Sequence, residues 1–373
     1  MAINPFRIDV PQPVLDDLTE RLARTRWPAA AEGAGWSRGT DIDYLRGLLD
    51  HWRHRYDWRA HEAELNRLDH VLVDVGNLPV HAVHQRSDDP TAAALVLLHG
   101  WPDSFYRYAK VLPLLADLHV VVPSLPGYGF TAHPGMSAAR MADVVAGLMS
   151  ELGYERFAVS GGDVGSGVAE ALAGRHGDRL VAVHLTDVPY HHLFAVDPAS
   201  LTEPEREYLQ AGQQWARSEG AYAMMQSTRP VTAAYGLTDS PVGLAAWVVE
   251  KLRACSDCDG DLDRRFTPEE VLTYVMLYWV TGTIGSSFTI YAEHDPQAGG
   301  GKVDVPTGVA IFPRDIVPAP RAFGERFFDV RRWTDMPRGG HFAAWEEPEL
   351  FADDVRALLT SVKAPQAQRG TGA

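Results

Sequence analysis

From residue 69 onward, short runs of continuously apolar residues alternate with longer stretches in which apolar residues recur at helical spacing. Continuous apolar runs are typical of parallel strands buried on both faces, and helical spacing places apolar side chains on one face of a helix. A chain that alternates the two predicts a doubly wound, mostly parallel sheet of the α/β class. The predicted strands lie at 70–75, 78–84, 93–98, 119–123, 157–160, 180–185, 308–312 and 328–333, and the predicted helices at 139–152, 164–175 and 348–362.

Three stretches do not follow this alternation. Residues 6–68 have a polar, helical pattern, with one helix predicted near 14–22 and another near 44–58, the latter anchored by Trp52 and Trp58. Residues 188–290 are rich in helix formers and aromatic residues and contain no strand pattern, which predicts a helical lid over the sheet. The tail at 364–373 is expected to be disordered. The predicted domains are therefore an N-terminal extension (1–68), a core in two halves (69–187 and 291–363), the lid (188–290) and the tail.

Composition and charge narrow the class of protein. The chain has 373 residues, 46% of them hydrophobic, and a formal net charge of −15. An acidic chain is a poor ligand for nucleic acid or anionic membranes, so neither is expected as a partner. We expect neither a membrane span nor a signal peptide, because no run of 18 apolar residues and no basic, apolar leader is present. The two cysteines, Cys255 and Cys258, are interpreted as incidental thiols in a polar loop, and so few cysteines favour a cytoplasmic location.

The stretch 159–167, Val-Ser-Gly-Gly-Asp-Val-Gly-Ser-Gly, has the pattern of a buried strand that enters a tight turn and then a helix. Its spacing matches the nucleophile elbow G-x-S-x-G, but Asp163 occupies the position of the serine. Glycines flank that position because larger side chains would clash in the sharp turn. A carboxylate nucleophile attacks a saturated, electrophilic carbon and forms an ester that water then hydrolyses. Asp163 therefore indicates opening of an epoxide or displacement of a halide, and argues against serine esterase chemistry.

Two further residues complete the order nucleophile, acid, histidine that is found along the chain of α/β-hydrolases. Asp315 and His341 each follow a predicted strand, so both would lie beyond the carboxyl ends of the sheet, where catalytic groups gather. His341 would take a proton from water, and Asp315 would hold its tautomer and stabilise the imidazolium. Glu346 and Glu347 are rival acids near His341, but we expect them to open the last helix at Pro348.

The stretch 99–102, His-Gly-Trp-Pro, follows a predicted strand and is a candidate oxyanion hole. The backbone N–H groups of Trp101 and Val164 would stabilise the negative oxygen that forms on Asp163 when water attacks the ester. Pro102 has no N–H to donate, so the donor in this stretch must be Trp101.

No cofactor and no metal ion are expected. The glycines around Asp163 do not fit G-x-G-x-x-G, and the glycine run at 299–301 lacks the first glycine of a P-loop. His191-His192 has no H-E-x-x-H context, so we interpret it as a loop pair and not as a metal site.

Jointly, these motifs resemble the epoxide hydrolases of the α/β-hydrolase fold, in the branch with an N-terminal extension. The resemblance covers nearly the whole chain and is carried by the opening of the extension, the oxyanion motif, the nucleophile motif and the histidine motif, at 6–11 and 22–28, 99–102, 161–165 and 339–342. Many members of the family have a tryptophan directly after the nucleophile. Val164 stands there in this chain, which keeps the backbone N–H and implies a different pocket wall.

The resemblance also implies that two lid tyrosines protonate the epoxide oxygen. Tyr222, before the sequence Ser-Thr-Arg-Pro at 227–230, and Tyr291, in Phe-Thr-Ile-Tyr, occupy the matching positions. The lid contains other tyrosines that we interpret as packing residues, namely Tyr208, Tyr235, Tyr274 and Tyr278.

These observations predict a cofactor-independent epoxide hydrolase whose partners are a small-molecule epoxide and water. One alternative is a haloalkane dehalogenase, which shares the aspartate nucleophile, although Val164 supplies no indole donor for a halide. Another is a non-catalytic ligand-binding protein on the same scaffold, because fold does not fix function. The oligomeric state is left open, with a homodimer among the options.

Overall fold

The computed structural model describes residues 3–29, 33–132, 134–293 and 301–363, and the tail predicted to be disordered lies outside them. The described residues form one nine-stranded sheet, with strands β1 (Ile3–Pro5), β2 (His70–Val75), β3 (Leu78–Gln85), β4 (Ala94–Leu98), β5 (His119–Pro123), β6 (Phe157–Gly161), β7 (Leu180–Leu185), β8 (Val303–Ile311) and β9 (Phe328–Asp335). The order across the sheet is β1-β2-β3-β5-β4-β6-β7-β8-β9. Pairing is antiparallel from β1 to β5 and parallel from β5 to β9, so the predicted α/β-hydrolase fold is confirmed.

Helices cover this sheet and extend from its carboxyl edge. The α-helices are α1 (Gln12–Ala23), α2 (Ile42–His54), α3 (Trp58–Leu65), α4 (Ala138–Glu151), α5 (Val164–His176), α6 (His191–Ala195), α7 (Glu203–Ser218), α8 (Ala221–Thr228), α9 (Pro230–Asp239), α10 (Pro241–Cys255), α11 (Pro268–Thr281), α12 (Ile284–Ser287), α13 (Thr289–Ala292), α14 (Arg321–Phe327), α15 (Ala343–Glu346) and α16 (Pro348–Lys363). Short 3-10 helices lie at Gly35–Arg38, Phe105–Tyr108, Leu112–Leu115, Gly177–Arg179, Pro198–Ser200 and Leu262–Arg264.

The apolar runs of the sequence form the centre of the sheet. Strands β4, β5 and β6 are buried at every position, as the continuous runs predicted. Strand β8 begins at Val303, earlier than the predicted start at 308. The prediction missed its first residues because Asp304, which is exposed, and Pro306 interrupt the apolar pattern there. Helix α14 has no counterpart among the predicted elements.

The N-terminal extension is helical, as predicted, and it also adds β1 to the edge of the sheet. The single helix predicted over 44–58 is wrong, because the structure has two helices, α2 and α3, in that region. The second begins at Trp58 because the side chain of Asp57 accepts hydrogen bonds from the backbone N–H groups of Arg59 and Ala60. Trp52 and Trp58 are both buried, so their predicted role as packing anchors is confirmed.

Helices α6 to α13 occupy the chain between β7 and β8, the stretch that the sequence predicts to be a helical lid. Helix α13 continues past the predicted lid boundary at residue 290. The extension braces the lid, since Arg21 forms an ion pair with Asp239 and the Tyr56 hydroxyl hydrogen-bonds with Thr273. None of the helices in the described part of the chain combines the length and the apolar character that crossing a membrane requires.

Candidate active site

Asp163 lies in the sharp turn between β6 and α5. Its backbone adopts φ 56° and ψ −126°, a conformation that L-residues rarely take and that tight functional turns use. A Cβ atom added to Gly161 or to Gly165 would collide with neighbouring backbone, so only glycine fits at these positions. The turn therefore presents the Asp163 side chain beyond the carboxyl end of the sheet.

The loop after β4 supplies hydrogen bonds to this carboxylate. The backbone N–H of Trp101 donates to Oδ1 of Asp163 at 2.8 Å, and the backbone N–H of Val164 also donates to the carboxylate. Burial raises the pKa of Asp163, while His341 and these two N–H groups oppose that rise. The two predicted oxyanion donors thus meet at the predicted nucleophile.

His341 and Asp315 meet at the same edge of the sheet. Nδ1 of His341 lies 2.7 Å from Oδ1 of Asp315, and its Nε2 lies 3.6 Å from Oδ2 of Asp163. Burial lowers the pKa of His341, but the carboxylates of Asp315 and Asp163 outweigh burial and raise that pKa to about 9. The structure therefore brings all three predicted residues together, with the imidazole between the two carboxylates.

Tyr190 is a neighbour of Asp315 that sequence reasoning missed. Its hydroxyl donates to Oδ1 of Asp315 at 3.0 Å, and the backbone N–H of Ile316 donates to the same oxygen at 2.6 Å. With the contact from His341, three groups converge on one carboxylate oxygen and fix its orientation.

Backbone contacts hold the loop that carries His341. The backbone N–H of His341 donates to the carbonyl oxygen of Cys255 at 2.9 Å. Cys255 is the last residue of α10, so the prediction that it lies in a polar loop is wrong. Both cysteines are free and buried. The carboxylate of Glu346 accepts from the backbone N–H groups of Gly340 and Phe342, which flank His341.

The rival acids are engaged away from the imidazole. Glu346 ends α15 and does not open the last helix, so that prediction is wrong for Glu346. Glu347 lies directly before Pro348 at the start of α16, as predicted, and its carboxylate forms ion pairs with Arg265 at 2.9 Å and Arg338 at 2.8 Å. Asp315 is thus the acid that contacts His341.

Two lid tyrosines lie against the indole of Trp101. The Tyr222 ring stacks on it with centroids 5.0 Å apart, and the Tyr291 ring meets it edge-on at 6.0 Å. The two tyrosines also hydrogen-bond to each other. Burial raises the phenol pKa of each well above 10, so both hydroxyl groups carry their protons at neutral pH.

The remaining lid tyrosines have other positions. Tyr274 and Tyr278 donate hydrogen bonds to Asp103, in the loop that follows Trp101. Tyr208 is buried, and Tyr235 is 76% exposed. Contact with Trp101 therefore distinguishes Tyr222 and Tyr291 from them.

A buried ion pair connects the loop of Trp101 with the loop of His341. Arg107 donates through Nη1 to the Asp103 carboxylate at 2.6 Å and through Nη2 to the carbonyl oxygen of His341 at 2.8 Å. Both side chains are at most 2% exposed. A buried charge is tolerated when it is paired and hydrogen-bonded, so this pair fixes the two loops relative to each other.

Asp187, after β7, is a third carboxylate beside the elbow. It accepts hydrogen bonds from the backbone N–H of Asp163 and from the hydroxyl of Ser166, both at 2.6 Å. Burial and the nearby charge of Asp315 raise the pKa of Asp187 to about 7. Sequence reasoning missed Asp187, although it lies at the carboxyl end of a strand, the criterion that selected Asp315.

One group in the described residues has the composition and proximity of a metal site, although none was expected. The carboxylate of Glu170 lies 2.7 Å from Nε2 of His192 and 3.3 Å from Nε2 of His191. The two histidines begin helix α6, so the prediction of a loop pair is wrong. The Glu170 carboxylate hydrogen-bonds with Nε2 of His192 and contacts Nε2 of His191, so these polar groups have partners within the protein.

Comparison with known proteins relates this chain to epoxide hydrolases. The sequence model described as epoxide hydrolase N terminus matches residues 3–108, and that of the alpha/beta hydrolase fold matches residues 93–223. Epoxide hydrolase 1 of Sus scrofa is 33% identical over 402 aligned residues, which cover 96% of this chain and 88% of the relative.

Solved structures give the same assignment. Aspergillus niger epoxide hydrolase superposes with a TM-score of 0.86 at 30% identity, covering 97% of each chain. Juvenile hormone epoxide hydrolase of the silkworm Bombyx mori superposes with a TM-score of 0.87 at 29% identity, covering 97% of this chain and 95% of the other. Since similarity in sequence and in structure extends over nearly the full length, the chain belongs to the epoxide hydrolase family.

Proposed function

We propose that this protein converts an epoxide and water to a vicinal diol through a covalent ester on Asp163. The observation that carries the proposal is the position of Tyr222 and Tyr291 against Trp101, whose backbone N–H holds the Asp163 carboxylate. This arrangement joins a carboxylate nucleophile with two protonated phenols. An epoxide needs both, because its carbon must be attacked while its oxygen is protonated.

In the first step, Asp163 attacks one epoxide carbon and the bond from that carbon to oxygen breaks. The electron pair moves to the oxygen, which takes a proton from the tyrosine pair, and the product is a hydroxyalkyl ester. Their raised pKa values keep Tyr222 and Tyr291 protonated until a strongly basic alkoxide develops beside them.

In the second step, His341 accepts a proton from water, and the resulting hydroxide attacks the ester carbonyl. The backbone N–H groups of Trp101 and Val164 stabilise the oxyanion. The pKa of His341 is raised in the free enzyme partly by the charge of Asp163. Ester formation removes that charge, which lowers the pKa of His341 and favours the neutral imidazole that can accept a proton when water must be activated.

Next to Asp163, the described residues offer no free indole N–H of the kind that a dehalogenase uses for its halide. Val164 has no N–H beyond its backbone, and the indole N–H of Trp101 donates to the Ser287 hydroxyl at 3.1 Å. A halide that leaves in a buried site without its N–H donors is poorly paired, which is costly. A terminal aryl epoxide should therefore be opened readily, while a bromoalkane should release negligible bromide. Comparable bromide release would favour the dehalogenase, and turnover of neither substrate class would favour a non-catalytic binding protein.

A single turnover in water labelled with heavy oxygen tests the covalent route. The label should enter the Asp163 carboxylate and be absent from the diol, because the diol oxygen comes from the aspartate. His341→Gln should accumulate the ester, seen as a mass increase equal to that of the substrate, and Asp163→Asn should show none. Label found directly in the diol would contradict the proposal.

The proposal needs neither a metal ion nor a cofactor, since Asp163, His341, the tyrosines and water supply every proton and electron pair. We also propose a cytoplasmic location. Both cysteines are free, as is usual in a reducing compartment.

A further inference from the structure

Lys251, on lid helix α10, is a lysine whose side chain is only 6% exposed. Its ammonium contacts the carboxylates of Glu250 at 2.9 Å and Glu219 at 3.2 Å, and donates to the carbonyl oxygen of Glu219 at 3.1 Å. Lysine is almost never buried unless it is paired, because removing an ammonium from water is costly. The fold maintains this cation inside the lid, although Glu219 lies at the edge of the lid with its side chain 37% exposed.

The ammonium of Lys251 lies over an aromatic ring of the active site. Nζ is 5.0 Å from the centroid of the Tyr222 ring, the same ring that stacks on Trp101. A cation at this distance is attracted to the face of an aromatic ring, and the attraction grows when the ring carries negative charge. Lys251 is thus placed to act on the charge of the Tyr222 phenol through the face of its ring.

We propose that Lys251 is a positioning residue that stabilises the negative charge on Tyr222 while this tyrosine gives its proton to the epoxide oxygen. The inference rests on the proposed function. As the carbon–oxygen bond of the epoxide breaks, its electron pair takes the proton of Tyr222 and leaves a phenolate. The ammonium of Lys251 balances that phenolate until a proton released during ester hydrolysis restores the phenol. Lys251 itself neither gains nor loses a proton.

The carboxylates around Lys251 act in the opposite direction. The negative charge of Glu250 contributes to raising the pKa of Tyr222, so it disfavours the phenolate. An electrostatic role therefore predicts opposite effects for the cation and for its carboxylate partners. A purely structural role predicts the same effect for both, because removing either one breaks the same ion pair.

Rates of ester formation in single turnovers distinguish these roles. Lys251→Met should slow ester formation by about tenfold or more, as part of the roughly 10²–10⁴-fold that a general acid contributes, and should leave hydrolysis of the ester unchanged. Lys251→Arg should restore most of the rate, because a guanidinium also lies well over an aromatic face. Glu219→Gln should form the ester at least as fast as the wild type. Equal slowing by Lys251→Met and Glu219→Gln, or no slowing by Lys251→Met, would overturn the proposal.

A measurement without substrate keeps this inference separate from the proposed function. A fluorinated tyrosine placed at position 222 has a more acidic phenol, whose ionisation is followed by ultraviolet absorbance. Replacing Lys251 with Met in that protein should lower the ionisation constant of the phenol by about tenfold or more, as loss of an opposite charge at this distance does. Lys251→Gln serves if the Met variant does not fold. An unchanged ionisation constant would overturn the role of Lys251, whatever substrate the enzyme takes.

Discussion

The carboxylate of Asp187 accepts a hydrogen bond from the backbone N–H of Asp163 at 2.6 Å. Its other oxygen accepts from the hydroxyl of Ser166, which lies in the first turn of α5. Asp163, the proposed nucleophile, is thus held through its main chain, in a conformation with positive φ, while its own carboxylate stays available to Trp101 and His341. Asp187, which follows β7, therefore stabilises the strained turn between β6 and α5.

Asp187→Ala should weaken this turn. A buried N–H left without its acceptor costs about 1–3 kcal/mol, so unfolding in urea should show a loss of that size. Ester formation should slow as well, since the position of Asp163 depends on the turn. Asp187→Asn is the matched control, because it keeps the shape and one acceptor oxygen, and it should lose less of both. An Ala variant with wild-type stability and wild-type ester formation would show that the turn holds without Asp187.

The tyrosine pair should affect only the first step. A positioned proton donor is worth about 10²–10⁴-fold in rate, so Tyr222→Phe and Tyr291→Phe should each slow ester formation, and the double variant should nearly abolish it. Stopped-flow single turnovers measure that step. Tyr235→Phe is the control, since Tyr235 is a lid tyrosine that is 76% exposed. Ester formation at the wild-type rate in the double variant would refute the assignment.

The raised pKa of His341 should appear as a pH-dependent contribution to stability. A group whose pKa rises from 6.5 in the unfolded chain to about 9 in the fold stabilises the protein below pH 6.5, and this contribution is lost as the pH rises through 9. The stability difference between wild type and His341→Gln should therefore shrink from pH 6 to pH 9.5, by on the order of 2–3 kcal/mol. Urea unfolding of both proteins at each pH measures it, and a constant difference would contradict the ion pairs of His341.

Activity should survive exhaustive chelation and dialysis. The proposed mechanism uses no metal, and the cluster of Glu170, His191 and His192 is joined by contacts from both imidazoles to the carboxylate. Diol formation before and after treatment, together with elemental analysis of the protein, tests this. Two results together would identify the cluster as a required metal site. Added zinc would restore the activity lost on chelation, and Glu170→Gln would prevent that restoration.

The fold and the central residues could be predicted because their signals are local. Continuous apolar runs indicate buried strands, and the glycines around Asp163 reflect backbone contacts within one turn. Asp315 and His341 were found because each follows a strand, and the carboxyl ends of parallel strands converge. Their positions in the structure agree with that rule, with 2.7 Å between the imidazole and the carboxylate.

The supporting residues could not be predicted because their contacts join distant parts of the chain. Arg107 donates to the carbonyl oxygen of a residue 234 positions away, and Lys251, on α10, lies over the ring of Tyr222, on α8. The sequence shows that these residues are charged, but not that they are buried or what they face. Local polarity also gave a wrong prediction for Glu346. It was expected to open a helix, but its carboxylate accepts hydrogen bonds from the backbone of the His341 loop.

The guanidinium of Arg107 has a consequence for how this enzyme can evolve. One side chain is hydrogen-bonded both to Asp103, in the loop of the proposed oxyanion donor Trp101, and to the carbonyl oxygen of His341. A substitution at position 107 therefore disturbs both loops at once, and neither loop is free to drift alone. Descendants of this sequence would acquire new specificity more readily through side chains outside these two coupled loops than through the loops themselves.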